Sequence, residues 1–419
     1  MISIGEAIQR VLARTKTGKI ERVALGDACG STLAGPVKAV VNVPSFRNSQ
    51  MDGYAVRSRE TASASTQSPI RLRKGPTVAA GSPKPGELPP GHAASVMTGA
   101  ALPDGADAVI PIEDLREMAD GVHISARVEA GCFIRPAGID LAAGETVLLG
   151  GSQLRPADIG LLASLGCTEV ERVTPPRVAI LGTGDELVSV GKPLGFGQIH
   201  DSNAHALAAA VQVCGGQPHY LGIVRDTKSA LTEAFRSAAT YDLVISTGGV
   251  SVGKFDYVKE VLEDLGVERS FWKVAQKPGK PVTFGQQGDG ALFFGLPGNP
   301  VSAMVCFEIY VGPAIRSILG RRDLFRPTIK VVLAEDMGTS ERFHELVRCQ
   351  RSVVGGAVTA TLAGNQNSGA LHSLARADCL VLSPPGRKRL HSGEEHLALD
   401  LSSDTNFSSI HAFSQASRD

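Results

Sequence analysis

The sequence predicts a multidomain α/β and β protein, and three observations predict it. Its 419 residues exceed what one ordinary hydrophobic core supports, so several domains are expected. Between residues 176 and 320 short apolar runs alternate with amphipathic segments, the pattern of a parallel sheet covered by helices on both faces. On either side, in 36–155 and 327–400, short alternating runs are punctuated by Gly and Pro, the texture of β-rich domains.

The elements follow in order. Residues 3–14 form an amphipathic helix pattern, with Ile4, Ala7, Ile8, Val11 and Leu12 on one face. In the β-rich region the strand signals are 78–81, 94–98, 108–112 and 122–128, and 61–68 is a small, polar stretch expected to be mobile. A helix is predicted over 155–166, with Pro156 near its start and Gly166 at its stop. The α/β segment then reads strand 178–181, helix 204–214, strand 221–224, helix 227–239, strand 243–246, helix 257–265, strand 292–294 and a long helix 301–319 bent at Pro313. A ligand crevice is expected beyond the carboxyl ends of its strands. After it come strands 329–334, 346–348, 358–362 and 379–382, a small barrel or sandwich, and a Ser-rich tail after residue 401 with the composition of a disordered segment.

Composition limits the partners. Lys plus Arg equals Asp plus Glu, 42 each, so no global field draws the chain to nucleic acid or an anionic membrane. An anion must be held by local groups. The cysteines, Cys29, Cys132, Cys167, Cys214, Cys306, Cys349 and Cys379, are odd in number and lack any C-x-x-C spacing. That argues against a disulfide framework and a thiolate zinc site, and suits a reducing cytoplasm. Residues 1–10 mix apolar and polar types, unlike a signal peptide, and no apolar run reaches membrane-spanning length.

Three Gly-rich turns sit where strands of the α/β segment end: Gly182-Thr183-Gly184-Asp185-Glu186, Thr247-Gly248-Gly249-Val250-Ser251-Val252-Gly253, and Gly295-Leu296-Pro297-Gly298-Asn299-Pro300-Val301-Ser302. Glycine lets backbone N–H groups approach a ligand, and Asn299 followed by Pro300 suits a helix start with free donors for an oxyanion. A single such loop more often means only a tight turn. Three at one sheet edge shift the balance, although none matches the P-loop or the dinucleotide fingerprint. Acidic residues Asp185, Glu186, Asp201, Asp226 and Asp256 lie on or beside these turns, and Asp52 and Asp140 lie in Gly-containing loops of the β-rich region. Asp226 and Asp256 could equally be plain helix N-caps; Glu186 and Asp52 have no such local role. Lys277-Pro278-Gly279-Lys280-Pro281 sets two cations on a stiff turn; such charges taken alone more often mark a solvated turn, but on a rigid Pro/Gly turn they look like a phosphate clamp. Carboxylates and anion-binding turns at one site repel unless a divalent cation lies between, and oxygen ligands point to Mg²⁺. The residues alone thus reach a Mg²⁺-dependent enzyme acting on a phosphorylated small molecule.

The segment Asn48-Ser49-Gln50-Met51-Asp52-Gly53-Tyr54-Ala55-Val56 resembles the N-S-A-M-D-G-Y-A-V signature of the MoeA and gephyrin E-domain family. The segments 97–100, 183–187, 201–203, 246–253, 277–281 and 295–303 resemble that family's motifs in the same order, so the likeness runs from about residue 3 to 400. It implies an elongated homodimer of four-domain subunits. These are a helical and extended domain (1–44 plus 146–176), a β-rich domain II (45–145), a molybdopterin-binding three-layer α/β domain III (177–321) and a C-terminal β-barrel domain IV (322–402), with a tail, 403–419. It implies a molybdenumtransferase reaction: adenylylated molybdopterin and molybdate in, AMP and molybdenum cofactor out, with Mg²⁺. The active site would lie between domain III of one subunit and domains I and II of the other.

By matching motif, Asp52, Asp140, Glu186, Asp226 and Asp256 would be catalytic, the first four also holding Mg²⁺. Thr98 and Ser251 would touch substrate or oxyanion, and Lys277, Lys280, Asn299 and Ser302 would hold phosphate and molybdate. The remaining turn residues, Thr183, Gly184, Asp185, Asp201, Asn203, Thr247, Gly248, Gly249, Gly253, Pro297, Gly298 and Pro300, would line the substrate site. Transient contact with an adenylyltransferase and with client molybdoenzymes goes with such a role. Two positions depart from the family pattern: Gln50 replaces a small residue, and Ile139 replaces an acidic neighbour of Asp140. Two other readings are a MogA-type molybdopterin adenylyltransferase, which uses the α/β domain without the other three, and a non-enzymatic scaffold like the gephyrin E domain. The Asp52 and Asp140 loops argue against the first, and the retained acidic residues against the second.

Overall fold

The computed structural model describes residues 1–249, 257–402 and 407–414. The chain divides into two units. One comprises Met1–Gly35, Gly150–Arg155 and Glu169–Asp419, the other Pro36–Leu149 and Pro156–Thr168.

The second unit is built on a six-stranded sheet in the order Ala108–Pro111, Gly53–Val56, His92–Val96, Ile70–Val78, Gly121–Ile124, Leu115–Met118. Only the pairing of Ile70–Val78 with His92–Val96 is parallel. Tyr54 and Val56 enter one hydrophobic cluster and Ala55 the other, so the signature strand is buried on both faces. The stretch expected to be mobile is anchored at its start. Thr61 is fully buried, and its hydroxyl donates to Ser58 O (2.8 Å) and accepts from Val128 N (3.0 Å). A small polar side chain with two such bonds is fixed, whatever its composition suggests.

In the first unit, the helix Ile4–Leu12 starts where Ser3 Oγ accepts from Glu6 N and carries a Glu6–Arg10 pair at 2.6 Å. Its Ile4, Ala7, Ile8 and Val11 share one core with Val178, Ile180, Ile245 and Phe294 of the large sheet. That sheet has the order Gln217–Val224, Arg177–Thr183, Leu243–Thr247, Leu292–Leu296, Thr283–Gln287, Val267–Trp272. The first four strands are parallel. The last two join by antiparallel pairing, Thr283–Gln287 running against both of its neighbours, so the sheet is mixed rather than wholly parallel. Their sequences, VERSFW and TFGQQ, carry too many polar residues to read as buried strands, which is why the pattern hid them. The connection between them carries the Lys277–Lys280 turn.

The long helix is interrupted rather than simply bent. Pro300–Cys306 is α, Phe307–Val311 is a π-turn, and Gly312–Ile318 resumes the α form. Pro313 has no N–H and its ring would strike the carbonyl one turn back; the wider π-turn just before it absorbs the misfit. Pro300–Ile318 is long and apolar enough to cross a membrane, contrary to the reading above, but 83% of its most apolar window is buried inside the protein. It is a core helix.

The C-terminal strands Thr328–Leu333, His344–Val354, Ala357–Leu362, Cys379–Ser383 and Glu395–Asp400 close into a ring, because His344–Val354 pairs with both Ala357–Leu362 and Cys379–Ser383. This settles barrel against sandwich. Val331, Leu333, Val347, Val381 and Ala398 fill it. Gln276–Lys277 adds to His344–Val354 in parallel.

Candidate active site

The three glycine turns meet at the carboxyl edge of the large sheet. Thr183 is buried, and its hydroxyl donates to Thr247 O at 3.0 Å, tying the first turn to the end of the strand Leu243–Thr247. Gly248 (φ +94°) donates its N–H to Leu296 O at 3.1 Å, and a Cβ there would lie 2.3 Å from Thr183 O. Only glycine fits so close an approach. Gly249 also has positive φ. Asn203 Nδ2 donates to Gly298 O at 2.8 Å, which fixes the third turn from the start of the helix Ser202–Val213. Asp201, 1% exposed, is the N-cap of that helix: it accepts from Ala204 N (3.1 Å) and Tyr220 OH (2.9 Å). Burial first, and then Asp201, push the Tyr220 hydroxyl well above its ordinary pKa. The side chains of Asp201 and Asn203 therefore shape the edge.

Acidic residues gather at this edge. Gly184 (φ +147°) lets Glu186 fold back, since a Cβ on Gly184 would meet Glu186 Oε2 at 2.5 Å. Asp226 N donates to Asp185 Oδ1 at 3.4 Å. Thr227, not Asp226, caps the helix Lys228–Ala238, so the Asp226 carboxyl is spared that role. Its Oδ1 is buried with no partner. Burial, then the charges of Asp185 and Glu186, hold its pKa above the usual carboxylate value. Ser251, Gly253 and Asp256 lie outside the described residues. Among the described residues no three His, Cys, Asp or Glu side chains converge closely enough to hold a metal by themselves. The donor chemistry nevertheless fits Mg²⁺: oxygen ligands only, negative charge in excess, and one buried carboxylate oxygen left open.

In the second unit, Asp52 Oδ1 accepts from Thr98 N (2.6 Å) and Thr98 Oγ1 (2.9 Å). The backbone bond, then the hydroxyl, hold the Asp52 carboxyl below its ordinary pKa. Asp140 is exposed, and its N–H donates to Val43 O at 3.0 Å. Its neighbour Ile139 is exposed as well. Gln50 Nε2 donates to Ile134 O at 3.2 Å on the neighbouring strand.

The lysine turn faces a cleft of about 610 Å³ between the α/β layer and the barrel of the first unit. Lys277, Lys280, Pro297, Asn299 and Ser302 line it. Asn299 occupies the N-cap position before Pro300 without a side-chain cap bond, and Ser302 is buried. Gln276, fully buried, donates to Pro278 O (3.0 Å) and accepts from Tyr310 OH, and a Cβ on Gly279 would lie 2.5 Å from Cys306 Sγ. The turn is therefore clamped to the core helix. The barrel supplies residues that sequence reasoning missed. Lys280 Nζ lies 4.9 Å over the Phe343 ring, and Lys277 Nζ contacts Glu345 Oε1 at 2.9 Å. Arg348, 1% exposed, bonds Ser373 Oγ (2.8 Å), Asn365 O (3.0 Å) and Asn367 O (3.1 Å), which holds a loop that lines the cleft. Burial draws its guanidinium pKa down. A charged H-E-L-V-R strand in an apolar barrel was the available signal.

The third turn joins the two halves of this edge. Gly298 touches the acidic side through Asn203 and lies beside Gly248, while Pro297, Asn299 and Ser302 line the lysine cleft.

Comparison with known proteins gives a consistent result. The chain matches the models for the MoeA N-terminal region (domain I and II) over residues 2–166, the probable molybdopterin binding domain over 179–317, and the MoeA C-terminal region (domain IV) over 330–401. It is 37% identical to a molybdopterin molybdenumtransferase of Nostoc sp. over 91% of this chain and 88% of that protein. It is 36% identical to one of Bacillus subtilis over 94% and 92%. Two solved structures of molybdopterin biosynthesis MoeA proteins from Pyrococcus horikoshii each superpose with a TM-score of 0.83. They are 31% and 27% identical, over 96% of this chain and 99% and 100% of theirs.

Proposed function

The chain belongs to the MoeA family, and from that membership we propose that it inserts molybdenum from molybdate into adenylylated molybdopterin, releasing AMP, in the last step of molybdenum cofactor biosynthesis. The observation that carries the reading is the shared third turn. A carboxylate group, Asp185, Glu186 and Asp226, and a cationic cleft, Lys277 and Lys280, lie at one sheet edge, and this turn contacts Asn203 and Gly248 on one side and lines the cleft on the other. Such an edge suits a substrate with both phosphate and metal-oxyanion parts.

Lys277, Lys280, Asn299 and Ser302 bind oxyanion oxygens, molybdate or phosphate, at the cleft. The Gly248–Gly249 turn leaves room for main-chain approach to the ligand. Thr183 and Asn203 hold the three turns in register, so the donors are fixed before substrate arrives, and most of the rate gain comes from position and charge complementarity. Asp185, Glu186 and Asp226 would supply part of the oxygen ligands for Mg²⁺, which would offset phosphate charge and act as a Lewis acid. We assign Asp52, Thr98 and Asp140 to the same chemistry through a homodimer, on the strength of their motif matches. Seven free cysteines support a reducing, cytoplasmic setting.

The test is reconstitution. Purified protein with adenylylated molybdopterin, molybdate and Mg²⁺ should release AMP coupled to active cofactor, and Glu186→Ala should lower the rate by about 10²-fold or more. ATP-dependent adenylylation of molybdopterin by this chain, without molybdenum insertion, would overturn the proposal.

A further inference from the structure

We propose that Glu345, in the C-terminal barrel, is a positioning residue for the transfer reaction: its buried carboxylate fixes the Lys277 ammonium at the mouth of the cleft. The inference rests on the function proposed above.

The pair is asymmetric. The Glu345 side chain is 6% exposed, whereas that of Lys277 is 54% exposed. An ordinary surface ion pair has two wet partners and adds little. Here the acid is inside and the base stands at the rim, where a ligand can meet it. Glu345 Oε1 holds Lys277 at 2.9 Å, and Oε2 is buried with no partner. Among the described residues, Lys277 is the charged group in contact with the Glu345 carboxylate, and the Arg348 guanidinium feels the same charge from further off. The backbone is fixed as well: Lys277 is in register with Glu345 where Gln276–Lys277 joins His344–Val354, and Gln276 is locked by Pro278 O and Tyr310. Alternate residues of the barrel, Phe343 and Glu345, meet the two lysines of one turn. The barrel therefore acts on the chemistry by holding two flexible four-carbon stems in place.

The sign of the charge separates this role from simple anion binding. A carboxylate beside the cleft opposes an anionic substrate. If affinity alone mattered, Glu345 would be harmful. Its removal should leave anion binding intact or tighter while turnover falls, because the lysine loses its place.

The experiment uses the full chain and follows AMP release from adenylylated molybdopterin with molybdate varied. Glu345→Gln is expected to lower kcat by about 10- to 100-fold with KM for molybdate unchanged or lower. Glu345→Asp should regain part of kcat. Lys277→Ala should lose thermal stability, and adding Glu345→Gln to it should restore the stability but not the turnover. The assignment falls if Glu345→Gln keeps wild-type kcat, or if kcat falls only with the folded fraction and Glu345→Asp regains none of it. Wild-type protein that turns over beside an equally active Glu345→Gln sinks the assignment alone. Wild-type protein that releases no AMP sinks the functional reading and the assignment together.

Discussion

Replacing Asp226 by Asn should make the resting protein more stable and the enzyme inactive. The carboxyl has one buried oxygen without a partner and two acidic neighbours, and its pKa is raised by burial first and then by Asp185 and Glu186. A carboxyl whose folded pKa is raised adds stability while protonated, and that stability is lost as pH rises from the ordinary carboxylate value through the folded one. At pH 7 the ionised group is therefore a net cost. An amide carries no charge and its NH₂ can donate to Asp185. An unsatisfied buried acceptor costs roughly 1–3 kcal/mol, and the side chain is only partly buried, so the low end, about 1 kcal/mol, applies. In a domain of this size that is a rise in Tm of roughly 2 °C. The rise should shrink as pH is lowered toward the ordinary carboxylate value, where the wild-type carboxyl protonates. Mg²⁺ should behave oppositely. At a hundred-fold excess over its Kd it would stabilise the wild type by about 2.7 kcal/mol and the variant far less. Differential scanning calorimetry at pH 7 and pH 4.5, with and without Mg²⁺, reads all of this. A variant that melts lower at pH 7, or responds to Mg²⁺ as wild type does, refutes the assignment of Asp226 to a cation site.

Three further outcomes are expected. Gly248→Ala puts a Cβ 2.3 Å from Thr183 O at φ +94°, so it should destabilise by about 2 kcal/mol or more in a denaturant melt and lose AMP release. Thr98→Val removes the hydroxyl bond to Asp52 but keeps the backbone one, so the Asp52 carboxyl should titrate higher than in wild type while staying below its ordinary value; ¹³C carboxyl NMR measures this. Arg348→Met leaves the carbonyls of Asn365 and Asn367 without this donor, so hydrogen exchange over 365–368 should quicken and stability should fall by roughly 2–4 kcal/mol.

Much of this was readable in the sequence because period and punctuation agreed. The strand–helix alternation of 177–264 appears almost as spelled, and each glycine turn stands at a strand end. What stayed hidden depended on tertiary partners. Val267–Trp272 and Thr283–Gln287 are polar strands that exist because they pair with each other and with the sheet. Asp226 read equally as a helix cap or a ligand, and only the structure shows that Thr227, one residue on, takes the cap role. Asp201 carried a ligand motif and caps a helix. Glu345 and Arg348 sat in a segment that read as part of a small barrel or sandwich; its charged H-E-L-V-R run was unusual, but nothing local says that it faces a lysine 68 residues before Glu345.

The turn of residues 297–299 has a consequence for the order of events in a catalytic cycle. Its main chain answers to Asn203 on one flank, and its side chains face the cleft on the other. Whatever free energy an occupant of the cleft lends to its neighbour beside Asp226, that neighbour must return in equal measure. On the function proposed above, such coupling would let loss of the nucleotide loosen the hold on the rest of the substrate.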